Sequence, residues 1–243
     1  MLANMAGLFA CLARHSSDGH VFEGEGVAAA VVPSCPERSV VNCVVYSDAD
    51  ALGSTLDELA DKYERAGVRA WTVWVPDYDV AAADLLEQAG HVLDAKPAAM
   101  VRELADFEAQ VPMELDLLEP DMREVARLND AAYGFAGDFE RAFHSVPPEP
   151  AHVYLARADG VPACTVLTYE EGGECGIYLV ATLPSAQGRG LARALMTHAL
   201  LEAHERGCST TSLQATRRGR PVYERLGYRD IGAVQMWERR RAA

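Results

Sequence analysis

Residues 177–207 read IYLVATLPSAQGRGLARALMTHALLEAHERG. The apolar, β-branched run up to Thr182 stops at Pro184, as a strand does where it enters a turn. A short glycine-bearing segment follows, and then a helical pattern in which Leu191, Leu195, Ala199 and Ala203 recur every fourth residue until Gly207 ends it. A helix start leaves backbone N–H groups without partners, and the helix dipole favours negative charge there. Phosphate is the usual guest of such a turn. Gly188 and Gly190 keep side chains out of its way and permit backbone angles closed to other residues. On the loop alone, a plain surface turn with solvent-facing Gln187 and Arg189 is the preferred reading, because short glycine motifs are common. The lysine and hydroxyl residue of a Walker A loop are missing, and so is the spaced GxGxxG of a dinucleotide fold.

The chain around this stretch has 243 residues, enough for one large domain or two small ones. Its net charge is -14, which argues against a nucleic-acid surface. The imbalance is uneven: residues 1–110 hold 18 acidic and 7 basic residues, whereas residues 111–243 hold 18 and 15. Six cysteines at 11, 35, 43, 164, 175 and 208 form no CxxC pair and no zinc-ligand spacing, so reduced thiols in a cytoplasmic protein without a metal are expected. The apolar start MLANMAGLFACLARHSS lacks a basic leader, and no run reaches the ~20 apolar residues of a membrane span. No membrane partner is expected.

Strands are predicted in 26–34, 38–47 and 68–76, and a helix over 48–67 with Asp48 or Asp50 as its cap. A short helix over 79–90 and one or two strands in 91–104 complete this half. A domain boundary is placed near 110, giving 1–110 and 111–243. Beyond it, 119–134 reads as a helix capped by Asp121, and 151–171 as a hairpin turning at Ala158-Asp159-Gly160. The strand and helix of the opening stretch follow. A strand at 209–216, a short helix at 220–227 with Pro221 in its first turn, and closing strands at 228–239 end the chain. A faint internal repeat relates 68–100 to 208–236. It sets Gly90 opposite Gly227 and Leu86 opposite Tyr223, while the first half has no counterpart of the QGRG turn.

Two stretches in order carry a specific resemblance. Gln187, Gly188, Arg189, Gly190, Leu191 and Ala192, with Pro184 before them, resemble the pyrophosphate loop of the GCN5-related N-acetyltransferase family. The later GRPVYERLGYRD resembles that family's second signature, with Tyr223, Leu226, Gly227 and Tyr228 in place. The resemblance spans roughly residues 112–240, and residues 1–110 look like a degenerate copy without a cofactor loop. It implies an α/β (α+β) fold with a mixed central sheet flanked by helices, duplicated along the chain, and a single active site in the C-terminal half.

The resemblance further implies transfer of an acetyl group from acetyl-CoA to an amine of a small molecule or peptide. The phosphates would lie on the amides of Gln187 to Ala192, and Val180 and Thr182 would offer backbone groups to the pantetheine arm. Tyr223 would protonate the leaving thiolate, although a core aromatic is its plainer reading. Glu174 is the candidate base, with Glu170 and Glu171 as rivals and a solvated turn as the bland alternative. Tyr133, Phe135 and Phe139 line the acceptor groove or pack a lid over it, and Asp130, Asp138 and Glu140 nearby would welcome a cation. Gly219 departs from the alanine that many members carry before the last helix. Pairing into a homodimer is a further expectation. The rival function is a non-catalytic acyl-CoA sensor or scaffold on the same fold.

Overall fold

A computed structural model describes residues 1–105, 107 and 110–241. The expected boundary near 110 adjoins residues 106, 108 and 109, which lie outside the described set. The N-terminal half runs α1 (Leu2–Arg14), β1 (His20–Gly24), β2 (Val27–Val31), β3 (Cys43–Tyr46), α2 (Ala49–Arg65), β4 (Ala70–Pro76), α3 (Val80–Gln88), β5 (Val92–Ala95) and β6 (Ala98–Glu103). The C-terminal half runs β7 (Asp116–Leu118), α4 (Met122–Tyr133), α5 (Asp138–Ala142), β8 (Ala151–Ala158), β9 (Val161–Glu171), β10 (Glu174–Thr182), α6 (Leu191–Glu205), β11 (Thr210–Ala215), α7 (Arg220–Arg225) and β12 (Arg229–Arg240). A 3₁₀ turn at Pro184–Ala186 leads from β10 towards α6.

All twelve strands join one sheet, in the order β1-β2-β3-β4-β12-β6-β11-β10-β9-β8-β7, with β5 also on β12. The pairings are antiparallel except β3–β4 and β10–β11, one parallel junction in each half. The halves exchange their last strands. β6 leaves the N-terminal half to pair with β11. The start of β12 pairs with β6, and its remainder crosses over to pair with β4 along Val234–Arg240. Each half's sheet is thus completed by the other's final segment.

Three apolar clusters follow from this arrangement. One lies under α2, with Leu52, Leu56, Leu59 and Tyr63 turned inward. A second lies under α6, where Leu191, Leu195, Ala199 and Ala203 are all buried, as their spacing predicts. The third is common to both halves: α1 and α4 fill it with Met5, Leu8, Phe9, Val125 and Leu128, and it takes in Cys43, Trp74, Leu155 and Tyr178. α1 therefore lies against C-terminal strands as well as its own. Its close approach needs Gly176, where a Cβ would fall 2.0 Å from Asn4 Oδ1.

The expected strand at 38–47 is shorter than its valine content suggests. Residues 38–42 form turns, because Asn42 is buried and accepts from Val32 N–H at 2.7 Å while donating to the Cys35 carbonyl at 2.8 Å. The edge strand β1 and the short α5 lie in segments for which the sequence gives no clear period. The closing strands are one continuous strand, β12, serving both halves of the sheet.

Candidate active site

The site grows from a fault in β10. Register against β9 shifts between Tyr178 and Ala181, and Leu179 sits at φ 48°, unusual for a branched side chain. Tyr178 and Leu179 consequently pack into the same cluster, against α1 and α4, while Val180 joins the cluster under α6. On the other side, the parallel ladder with β11 ends at Ile177↔Leu213. Beyond that point β10 continues without a partner on this side, and a gap opens between the two strands. Leu183 N–H turns to β9, donating to Ala163, so by alternation Val180 and Thr182 turn their backbone groups into the gap.

Side chains from three directions fix this edge. Asn129, buried on α4, donates to the Leu179 carbonyl at 3.3 Å and steadies the bulge. Tyr133 Oη donates to the Val180 carbonyl at 3.2 Å. Gln187 Nε2 donates to the Thr182 carbonyl at 2.9 Å, while its own Oε1 accepts from Arg218. The side chain of Gln187 is therefore a strut for the loop, and its main-chain N–H donates to the Pro184 carbonyl at 3.4 Å.

The loop then delivers the start of α6. Gly188 and Gly190 have φ of 77° and 82°, and a Cβ on either would meet no atom within 4 Å. Their glycine is required by backbone angle, and the space around them is open. No side chain caps α6. The first helical bond is Ala194 N–H to Gly190 C=O, so the amides of Leu191, Ala192 and Arg193 precede the ladder and have no helical partner. The Arg189 guanidinium clasps Asp159 in the β8–β9 hairpin turn, at 2.5 and 3.0 Å. That bond holds the Asp159 carboxyl below its usual range. Asp159 and Gly160 both have positive φ, as a two-residue turn demands; the tight turn expected at Ala158-Asp159-Gly160 is thus one residue shorter, with Ala158 still paired to Val161.

Tyr223 stands on α7 beside the gap, 9% exposed, with its ring edge-on to Tyr228 at 6.1 Å. Burial, and then the nearness of Tyr133 and Cys164, push its phenol well above the usual range, so it stays protonated. Gly219 makes room for the ring: a Cβ there would lie 3.0 Å from Tyr223 Cε2. Cys164 Sγ lies 3.3 Å from Thr182 Oγ1 at the floor of the same region.

The other predicted residues fall differently. Glu174 begins β10, roughly 20 Å along the strand from Val180 at ~3.3 Å per residue. Its carboxylate accepts from the Met1 amine at 2.7 Å and from Ser212 Oγ. Its rivals are also engaged or remote: Glu170 pairs with Arg206, and Glu171 ends β9. Tyr133 and Phe135 are 53% and 46% exposed, as groove walls would be. Phe139 is 1% exposed and packs on Phe143 with ring centres 4.5 Å apart, so it is core and not groove surface. The cation expected at the acidic cluster is supplied by the chain itself. Arg38, 5% exposed, enters from the loop between β2 and β3, pairs with Asp130, and lies 3.8 Å from Asp138. Its guanidinium carbon sits 3.6 Å from the centre of the Phe135 ring. Asp130 also accepts from Glu140 N–H at 3.0 Å.

Two groups had only faint signals in the sequence. Asn129 is a polar residue four places after Val125 on the inward face of α4, and Arg38 is a lone charge before a valine run. Among the described residues no group of three or more His, Cys, Asp or Glu side chains could hold a metal ion, and no helix is long and apolar enough to cross a membrane.

Known proteins agree with this geometry. A profile of the acetyltransferase (GNAT) domain matches residues 149–230. No curated protein matches the chain in sequence. A GCN5-related N-acetyltransferase from Kribbella flavida is similar in structure, with a TM-score of 0.67 and 18% identity over 99% of this chain and 95% of its own. A putative GNAT acetyltransferase from Novosphingobium aromaticivorans aligns over 100% of this chain and 97% of its own, with a TM-score of 0.60 and 16% identity. A GCN5-related N-acetyltransferase from Sphaerobacter thermophilus covers 90% of this chain and 82% of its own, with a TM-score of 0.58 and 19% identity. Those likenesses run through both halves, consistent with a GNAT-like N-terminal region. Residues 149–230 of this chain, which hold the bulged strand, the glycine loop and the tyrosine helix, are a GNAT acetyltransferase domain.

Proposed function

We propose that the protein transfers an acetyl group from acetyl-CoA to an amine of a small molecule or peptide, at one site in the C-terminal half. The observation that carries this reading is the bulge at Leu179. It opens a gap beside β10 that leads to an uncapped helix start with two open glycines. Backbone groups facing a gap suit an amide-bearing arm, and unpaired amides at a helix start suit its phosphates. Of the amides from Gln187 to Ala192, that of Gln187 is held by the Pro184 carbonyl, so those from Gly188 onward would hold the phosphates, and Val180 and Thr182 would bind the arm. When bound, acetyl-CoA supplies an activated acetyl thioester.

The chain's own groups then have separate tasks. Val180 N–H, turned into the gap, donates to the carbonyl oxygen as negative charge builds there. Tyr223 holds its proton at neutral pH and gives it to the departing sulfur. The acceptor enters beside Tyr133 and Phe135 and must lose a proton before attack, since an alkylammonium has a pKa near ~10.4. Glu174 lies six strand residues from Val180 with its carboxylate held by Met1 and Ser212, so it could serve as base only through intervening water, and the role is tested directly: if Glu174 is the base, the acidic limb of kcat/KM moves in Glu174→Gln. An unchanged limb removes Glu174 and leaves solvent as the proton's destination.

The reading as a whole is tested by thiol release from acetyl-CoA against a panel of amines, beside calorimetry with CoA. Saturable CoA binding and amine-dependent release are expected. Binding without release for every amine would favour an acyl-CoA sensor, and no binding at all would end both accounts.

A further inference from the structure

A cleft of 410 Å³ opens at the outer edge of the C-terminal sheet, two strands away from the transfer gap. It exists because β7 is only three residues long and pairs with Leu155–Arg157 alone. Further back, the Ala151 N–H is taken by the Pro148 carbonyl. The Pro150 carbonyl accepts from Glu170 N–H, so the alternation turns Val153 outward. Val153 is thus the one residue between these two closures whose backbone faces the cleft. That is too short an edge for an added strand, whereas the volume lies within the ~300–1,000 Å³ usual for small-ligand pockets.

The lining selects the ligand's charge. Glu149 borders the cleft and takes part in no ion pair among the described residues. On the α6 side, Glu202 accepts from Tyr154 Oη at 2.9 Å and lies 3.2 Å from His198 Nε2. Glu170 stands behind His152 at 3.8 Å, and Arg206 is committed to Glu170 and Glu202. Of the two carboxylates that line the cleft, Glu202 is shared with Arg206, whereas Glu149 has no cation of its own among the described residues, which leaves the cleft negative. Burial, and then Arg206, keep His152 below its ordinary value. The opposing wall is apolar: Leu117 and Val146 are both exposed, with Pro147 beside them. A group built for a metal ion is absent among the described residues.

We propose that this notch is a second small-molecule site, separate from the transfer gap, and that it takes an organic monoammonium cation. The ammonium would lie between the Glu149 carboxylate and the Val153 carbonyl, and its apolar body against Leu117 and Val146. The site stands or falls independently of acetyl transfer, since none of its residues serves that reaction.

The test is a titration with 2-phenylethylamine, followed at neutral pH by NMR of the histidine Cε1–H signals, assigned with single His→Gln variants. Saturable shifts of the His152 and His198 signals are expected, with little response to the uncharged 2-phenylethanol. Glu149→Gln should weaken binding at least fivefold, and Val146→Arg, which tethers a cation at the mouth, should abolish it. Both positions are exposed, so both variants should fold. The proposal is overturned if neither signal saturates, if the alcohol acts as strongly as the amine, or if Glu149→Gln binds unchanged. It is equally overturned if the shifts are confined to other histidines, which would place the amine outside this cleft.

Discussion

The two halves share a plan and differ at a helix start. In the N-terminal half β3 passes to α2 through Ser47 and Asp48, and the Asp48 carboxylate accepts from Ala51 N–H at 2.9 Å. The place where an external anion would sit is filled by the chain's own carboxylate. In the C-terminal half β10 reaches α6 through a longer loop, ending at Gly190 with no side-chain cap. The strands differ as well. No register shift interrupts β3 in its pairings with β2 or β4, and Tyr46 at its end donates to Asp79 at the start of α3, 2.8 Å away. Elsewhere the halves match down to single bonds. Gly90 N–H bonds Glu87 and His91 N–H bonds Leu86, just as Gly227 N–H bonds Glu224 and Tyr228 N–H bonds Tyr223. One fold therefore makes an open or a closed helix start, according to whether the chain caps it internally, and the open one lies beside a bulged strand.

The largest effect should come from the position where Leu86 stands opposite Tyr223. Leu86 is fully buried, a packing residue with no proton to give. Tyr223→Phe makes the C-terminal site resemble it in this respect at almost no cost in volume. General acid catalysis contributes typically ~10²–10⁴-fold, so kcat should fall by about that factor while CoA affinity by calorimetry stays nearly constant. Wild-type turnover in this variant would return Tyr223 to the core.

The halves also depend on one another through Arg38. Its guanidinium belongs to the N-terminal half, and the Asp130 it neutralises belongs to the C-terminal half. Arg38→Met leaves a buried carboxylate unpaired, which typically costs about 3–5 kcal/mol, and chemical denaturation would register it. Adding Asp130→Asn should restore much of the loss. If the single variant is as stable as the parent, the pair contributes nothing to the docking of the two halves.

Much of this contrast was legible in the residues. The glycine turn, the spacing by four along α6, the Asp121 cap, a cap at Asp48 or Asp50, and the hairpin turn within Ala158-Asp159-Gly160 are local signals, and each appears where its residues place it. The exchange of last strands was not legible, because β6 and β12 have the same alternation whichever partner they choose. The same holds for Phe139 and Arg38. An aromatic after a glycine-rich turn reads equally as groove or core, and an arginine before a valine run carries no mark of the aspartate it meets 92 positions away. Pairings across the chain are set by packing, which a local pattern does not encode.

A smaller effect should follow from closing the open turn. Gly190→Val forces a β-branched residue to φ near 82°, a region that costs ordinary residues roughly 1–2 kcal/mol. Either the loop holds and the protein loses that stability, or the loop relaxes and its amides turn away from the phosphates. A Gly188→Val, Gly190→Val pair should therefore weaken CoA binding about tenfold or more. A double variant that folds and binds CoA as the parent does would detach the loop from the cofactor.

The smallest effect concerns the closed counterpart. The bond from Ala51 N–H, aided by Ser47, holds Asp48 below the ordinary aspartate value. A group with a depressed folded pKa contributes its stability above the unfolded value, near ~3.9, and loses it as pH falls through the folded value. Asp48→Ala should therefore lower the melting temperature at neutral pH by about 2–4 °C, and the gap from the parent should narrow below about pH 4 as the parent loses the same charge. The KM for acetyl-CoA should not move, because uncapping α2 frees an N–H but creates neither a bulge in β3 nor a glycine loop. A gap between parent and variant that stays constant down to pH 2 would mean that the Asp48 charge is not what closes this helix start.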